Sequence, residues 1–289
     1  MSRPCWKPRK PSDVTNLSAL AVGILNEPDA ACKARLSHEA ADLWRSANGD
    51  LPIGETLPPD RPARPERPKL LPPAEMPRRR GQSDEARATL LHAVQHIELN
   101  AIDLAWDIVA RFPHENLPRA FYDDWVRVGN EEARHFELLA ERVRELGFAY
   151  GDFPAHDGLW EAAMATRNDL GARLAVVPMV LEARGLDVTP AMITRFGKIG
   201  DEKSAAILNV ILTDEIGHVA IGSRWFHYFC EKRGLDPETS WRDLVQKNFK
   251  GLLKPPFNDD ARSVAGLPEK YYRPLVAPPP QKQTKNRKF

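Results

Sequence analysis

The sequence predicts an all-α protein: an antiparallel four-helix bundle with an N-terminal helical arm and a C-terminal extension. Three observations carry this. Between residues 83 and 235 four long segments of helix-forming residues follow one another, separated by Gly, Pro and Asp punctuation. The segments carry apolar side chains at alternating steps of three and four, the inward stripe of a bundle helix. No segment alternates apolar and polar residues as a half-buried strand does.

Residues 1–50 form the arm, in which VTNLSALAVGILNE and PDAACKARLSHEAADLWRSA read as two short helices with Pro28 suited to a first turn. Residues 51–82 form a linker: nine prolines between Leu51 and Arg80 exclude regular helix and favour extended backbone, a strap along the surface or a spacer. Ser83 is a good N-cap with Asp84 and Glu85 in the first turn, and this first core helix stops before Pro113. The second runs from Arg119 to about Leu146, with Gly147 as its stop. Asp157 is placed as the cap of the third helix and Asp201 as the cap of the fourth, which continues to Gly234. In the third helix Pro178 cannot donate to Leu174, and Gly185 and Pro190 follow closely, so a kink or break is expected there. The link 148–156 is short for a crossover along the bundle, which leaves part of 157–170 as the connection. In the extension, residues 236–289, Asp236-Pro237 starts a short helix to about Leu252. KPPFNDDARSVAGLPEKYYRPL lacks periodicity, but Phe257, Tyr271 and Tyr272 give it reason to pack back on the helices. The last residues, APPPQKQTKNRKF, read as disordered.

With 289 residues, 42% of them hydrophobic, the chain is long enough to bury one large core. Its 41 basic and 40 acidic residues leave a net charge of +1, which argues against nucleic acid or an anionic membrane as the principal partner. Cys5, Cys32 and Cys230 are far apart and show no CxxC spacing, so neither a zinc site nor a redox pair is indicated, and a reducing cytoplasm is the simplest location. The basic start has no apolar stretch after it, and no uninterrupted apolar run approaches the ~18 residues of a membrane helix. Neither secretion nor a membrane span is expected.

The chemistry lies on the inward stripes. In the fourth helix the stripe is Leu208, Ile211, Glu215, His218, Gly222, Trp225 and Phe229; in the second it is Phe121, Trp125, Val128, Glu132, His135 and Leu139. Each carries Glu-x-x-His at core positions. The first helix has one glutamate in an apolar row, Glu98, and the third has Glu182 in AVVPMVLEARG. From the first set to the second the offsets are 84, 83 and 83 residues, so the second pair of helices repeats the first. Four carboxylates in a dry core cost several kcal/mol each unless positive charge neutralises them, and no Lys or Arg occupies those stripes. Two divalent cations would neutralise them, and an oxygen-rich set with one imidazole per ion suits Fe or Mn, including a mixed Mn/Fe pair. Residues three apart on a helix lie on one side a turn apart, so Glu and His can reach one ion.

This pattern resembles the ferritin-like di-iron carboxylate superfamily, whose bundles use Glu and Glu-x-x-His twice. More narrowly, HAVQHIELNAIDLA, NEEARHFELLAERV, LEARGLDVTP, DEIGHVAIG and PPFNDDARSVAGL are similar to a bacterial ferritin-like family labelled domain of unknown function 455. The resemblance implies Glu98, Glu132, His135, Glu182, Glu215 and His218 as metal ligands for two Fe ions, with Glu132 and Glu215 as candidates for bridging. It also implies Glu131 and Asp214 as acceptors of the second N–H of a liganding imidazole, weighed against a reading as solvated acids.

His92 and His96 lie off the Glu98 stripe and read as a surface pair ahead of a role at a substrate entrance or beside the ligands. Trp106, Trp125 and Trp225 read as core. Function divides three ways. The leading reading is a non-haem di-iron oxidase or oxygenase using O2, an unidentified small organic substrate and an electron donor, with a homodimer allowed. The second is a ferroxidase or iron-handling protein, which the arm and extension encumber. The third is a metal-bearing binding module or an RNA-modifying hydroxylase recruited through RPARPERPK, MPRRR and the basic tail.

Overall fold

The structure, a computed structural model, describes residues 15–72, 75–76 and 81–276. The basic start, most of MPRRR and the tail read as disordered lie outside the described residues. The described chain is helical with no strand, and the expected bundle is its centre.

Helix α1 (Leu17–Leu25) is capped by Asn16, and α2 (Ala30–Ser46) by Asp29, whose carboxylate accepts from Cys32 N. Pro28 therefore sits just outside α2 rather than in its first turn. The two helices lie against α3 (Asp84–Arg111) and α4 (Arg119–Glu145), and their Leu17, Ala21, Ile24 and Trp44 share one core with Trp106 and Phe121. Gly129 makes the close approach: Trp106 Nε1 donates to Ser37 Oγ at 2.7 Å, and Ser37 Oγ donates to Gly129 O at 2.7 Å. A Cβ on Gly129 would stand 2.8 Å from Trp106 Nε1.

The proline-rich segment is a strap. Leu17 N donates to Pro52 O, Ser18 N to Ile53 O and Ala63 N to Leu25 O, each within 2.9 Å, and Leu70 bridges Ala155. Two of its arginines tie it to the helices. Arg61 pairs with Asp157, and Arg64 pairs at 2.8 Å with Asp103 of α3, which also holds the buried Lys33 of α2 at 2.6 Å.

Ser83 and Asp201 cap α3 and α8 (Glu202–Arg233) as expected, and Gly234 ends α8 in the left-handed conformation. The connection after α4 holds a separate helix, α5 (Gly158–Ala165). Asp157 stands at its N-cap but makes no capping bond, because its carboxylate is taken by Arg61. The third bundle helix starts instead at α6 (Leu170–Val176), capped by Asp169. It then widens into a π-helical turn, Val177–Glu182, before α7 (Ala183–Lys198). The expected break thus falls at Pro178, whose ring packs where Gly222 of α8 leaves room: a Cβ there would be 2.3 Å from Pro178 Cβ. Pro190 does not break α7. The carbonyl it leaves unserved, Leu186 O, accepts from Asn258 Nδ2 at 3.2 Å.

Helix α9 (Pro237–Asn248) stops four residues short of the expected Leu252. The aperiodic extension does pack back, through α10 (Asp259–Val264) and α11 (Glu269–Tyr272), burying Tyr271, Tyr272 and Arg262, whose guanidinium pairs with Asp187 of α7. Cys230 is a free buried thiol, whereas Cys32 is disulfide-bonded. Spacing along the chain indicated no pair because it does not report which thiols a fold brings together. By length and mean hydropathy α8 is long and apolar enough to cross a membrane, although charges interrupt its apolar run; here it is a bundle helix with Glu215 and His218 buried.

Candidate metal centre

All six stripe residues converge on the interior between α3, α4, the π-helical turn and α8. Ligand atoms of Glu98, Glu132, His135 and Glu215 lie within 4.8 Å of one another. His135 Nδ1 is 3.3 Å from both Glu98 Oε2 and Glu132 Oε2. His218 Nδ1 is 2.9 Å from Glu132 Oε1 and 3.8 Å from Glu215 Oε1, and the two imidazole centroids are 5.8 Å apart. Glu132 thus turns one oxygen to each ring. Glu182, at the end of the π-helical turn, is half-buried with its Oε2 shielded.

The outer faces of the rings are held by a crossed pair of acids. His135 Nε2, from α4, lies 2.8 Å from Asp214 of α8; His218 Nε2, from α8, lies 2.8 Å from Glu131 of α4. Asp214 also pairs with Arg134. An acid at Nε2 fixes an N–H there and turns Nδ1 to the interior, the orientation that metal-bound histidines require. Both acids expected from the resemblance therefore touch the imidazoles rather than standing as solvated charges.

The electrostatics follow from burial. It drives Glu98 and Glu182 well above the usual carboxylate range and Glu215 upward, with Glu132 adding to the push on Glu98 and Glu215, and Glu215 to that on Glu182. For Glu132 burial acts the same way but His218 and His135 overcome it, holding its carboxylate below the ordinary value. Burial disfavours the charged His135, yet hydrogen bonds with Asp214, Glu132 and Glu98 outweigh it and the ring is pushed up to about 12. His218 is likewise raised, against burial, by Glu132 and Glu131. Among the described residues no Lys or Arg pairs with the four glutamates, so protons are the only cations the side chains themselves recruit.

Protons leave the set incomplete. Glu132 Oε1 and His218 Nδ1 pair at 2.9 Å, but Glu182 Oε2 and Glu215 Oε2 are shielded from solvent and make no hydrogen bond. Buried polar atoms normally find partners. Four carboxylates and two imidazoles that converge in a dry interior and still leave carboxylate oxygens unused fit divalent cations of the Fe or Mn type.

The bundle is closed on one side of this set and open on the other. Helix α3 packs along α4, α7 along α8, and α4 meets α8 beside the crossed acids, whereas α3 and α7 do not pack closely. Between them lies a cavity of about 230 Å³ whose wall includes Glu98, Glu182 and Glu215. Sequence reasoning did not find it, because a space between helices leaves no trace in the periodicity of either one.

His92 and His96 are buried, which corrects their reading as a surface pair. The segment after α4 folds over them: Gly151 N donates to His92 Nε2 at 2.9 Å, and His96 Nδ1 lies 2.8 Å from Tyr150 OH. Neither joins the ligand set. Trp106, Trp125 and Trp225 are buried as expected. Also missed were the ion pairs of Asp103 with Lys33 and Arg64, and of Asp107 with Arg111 and Arg173. Their one sequence signal was two aspartates four apart in an otherwise apolar stretch of α3.

An uncharacterized protein of Haemophilus influenzae (strain Rd) is 46% identical over 208 residues, covering 70% of this chain and 72% of the relative. No solved structure matches the chain. Residues 26–273, which include all six convergent side chains and both outer acids, match the family described as protein of unknown function, DUF455, and the chain belongs to that family.

Proposed function

We propose that the protein is a dinuclear metal oxidoreductase of ferritin-like type, with two Fe ions (or Mn, or a mixed pair) held by Glu98, Glu132, His135, Glu182, Glu215 and His218. The observation that carries this reading is the crossed acid–imidazole arrangement around buried glutamates that have no Lys or Arg partner among the described residues, with Glu182 Oε2 and Glu215 Oε2 left without a hydrogen bond. Glu132, with one oxygen toward each ring, is disposed to bridge.

When bound, such ions would supply O2 reduction and the oxidation of an organic molecule. The chain's own groups orient and insulate. Asp214 and Glu131 keep the Nε2 protons in place, so the imidazoles would hold metal through Nδ1. On the α4–α8 side the crossed acids and the packed helices close the centre, while the α3–α7 cavity gives an organic molecule access to Glu98, Glu182 and Glu215. With redox-active ions bound, such chemistry would also need an electron donor. The apolar side of that cavity supports an oxidase or oxygenase over iron storage, because hydrated iron gains nothing from such a wall.

Metal analysis with Mössbauer spectroscopy, on protein purified from iron-fed cells before and after O2, tests the proposal. About two irons per chain, oxidised together, is the expected result. Protein that takes up no more than trace metal would refute it.

A further inference from the structure

Resting on that reading of the metal centre, we infer that the α3–α7 cavity is a substrate site for a neutral, apolar molecule of about benzene size. The wall away from the carboxylates is aliphatic, with Val94, Ile97, Ala101, Leu104, Met192 and Ile211 prominent in it. Ile97, 42% exposed on an otherwise buried stretch of α3, marks the mouth. The cavity is of useful size. An apolar cavity of about 150 Å³ admits benzene, and the 230 Å³ here leaves room for one or two more carbon atoms.

Charge selects further. Four glutamates would balance the charge of two divalent ions, so the loaded centre offers an anion no net positive charge and the cost of desolvating it goes uncompensated. At the rim Nη1 of Arg184 is held by Lys254 O at 3.0 Å, Pro256 O at 2.8 Å and Asp187. Besides the three glutamates and Arg184 the lining offers only His156 and Thr189 as polar groups, which disfavours a heavily hydroxylated substrate, since each buried hydroxyl without a partner costs affinity. Two small residues keep the space open. Ala101 is buried in the α3 wall, and at Gly185 of α7 a Cβ would meet nothing within 4 Å. Gly185→Leu therefore adds a side chain at the cavity without a backbone clash and with a gain in helix propensity.

The test is calorimetric titration of the full-length protein, loaded anaerobically with Fe(II), with toluene and separately with benzoate, metal content being measured on each sample. Toluene is expected to bind one per chain and at least tenfold more tightly than benzoate. Gly185→Leu and Ala101→Phe are each expected to weaken toluene at least tenfold while retaining metal; if Ala101→Phe misfolds, Gly185→Leu carries the test. Absence of toluene binding to metal-loaded protein, equal binding of benzoate, or wild-type affinity in both variants overturns the inference. Selective toluene binding by protein that holds no metal supports the ligand class and overturns only the metal reading.

Discussion

His135 of α4 and Asp214 of α8 meet at 2.8 Å through the ring nitrogen that faces away from the glutamates. With His218 and Glu131 answering at the same distance in the opposite sense, each helix supplies an imidazole to the centre and a carboxylate to its neighbour's imidazole. The site is thereby tied to the α4–α8 interface.

Asp214→Asn and Glu131→Gln are expected to lower metal affinity by about 10- to 100-fold each, the usual effect of losing the outer partner of a liganding histidine. Competition with a chelator measures it. The exposed Glu137, also on α4, serves as control, and Glu137→Gln should leave the affinity unchanged.

Metal affinity should rise with pH. In the metal-free protein burial holds Glu98, Glu182 and Glu215 above the carboxylate range, and the surrounding acids hold His135 and His218 above the ordinary imidazole value. Binding must displace those protons, so acid competes with metal. Proton release into a weakly buffered indicator solution at neutral pH should exceed one per chain; no release would contradict the electrostatic account.

Removing single carboxylates should split stability from metal binding. Glu132→Ala leaves two raised imidazoles without their shared partner and should destabilise metal-free protein by about 3–5 kcal/mol in urea unfolding. Glu182→Leu removes a carboxyl whose Oε2 has no partner, and should leave metal-free stability unchanged or higher by about 1–4 kcal/mol. Both should lose metal.

His96 predicts acid sensitivity. Burial, then the nearby Arg64, lower it to about 3, so the folded state keeps the ring neutral while the unfolded chain takes up a proton below its ordinary 6.5. The unfolded state binds more protons in that window, so stability falls as pH drops from 6.5 toward 3, by at most about 1.4 kcal/mol per pH unit from this one group. His96→Gln should flatten this slope in denaturant titrations between pH 6.5 and 4.5.

Asp103→Asn should loosen the N-terminal layer, because it leaves Lys33, buried and already lowered by desolvation, without its charge partner. A loss of about 3–5 kcal/mol is expected. Limited proteolysis should then cut first within residues 51–72.

What the sequence by itself determined is local. Capping by Ser83 and Asp201, the stop at Gly234 and the break at Pro178 depend on hydrogen bonds a few residues long, so nearby residues suffice to read them. The six convergent side chains were legible for a related reason: helical periodicity assigns each residue a face, and four glutamates on apolar faces spaced 84 and 83 apart have to meet. The same reasoning failed where the decisive partner was remote. Asp157 looked like a cap until Arg61 of the strap claimed it, and His92 and His96 looked exposed until the segment around Tyr150 folded over them. Only the tertiary structure decided which acid each imidazole meets, that α1 and α2 share the bundle's core, and that α3 and α7 stand apart around a cavity. Those outcomes are set by how side chains of different helices fill common space, and that volume belongs to no single stretch of chain.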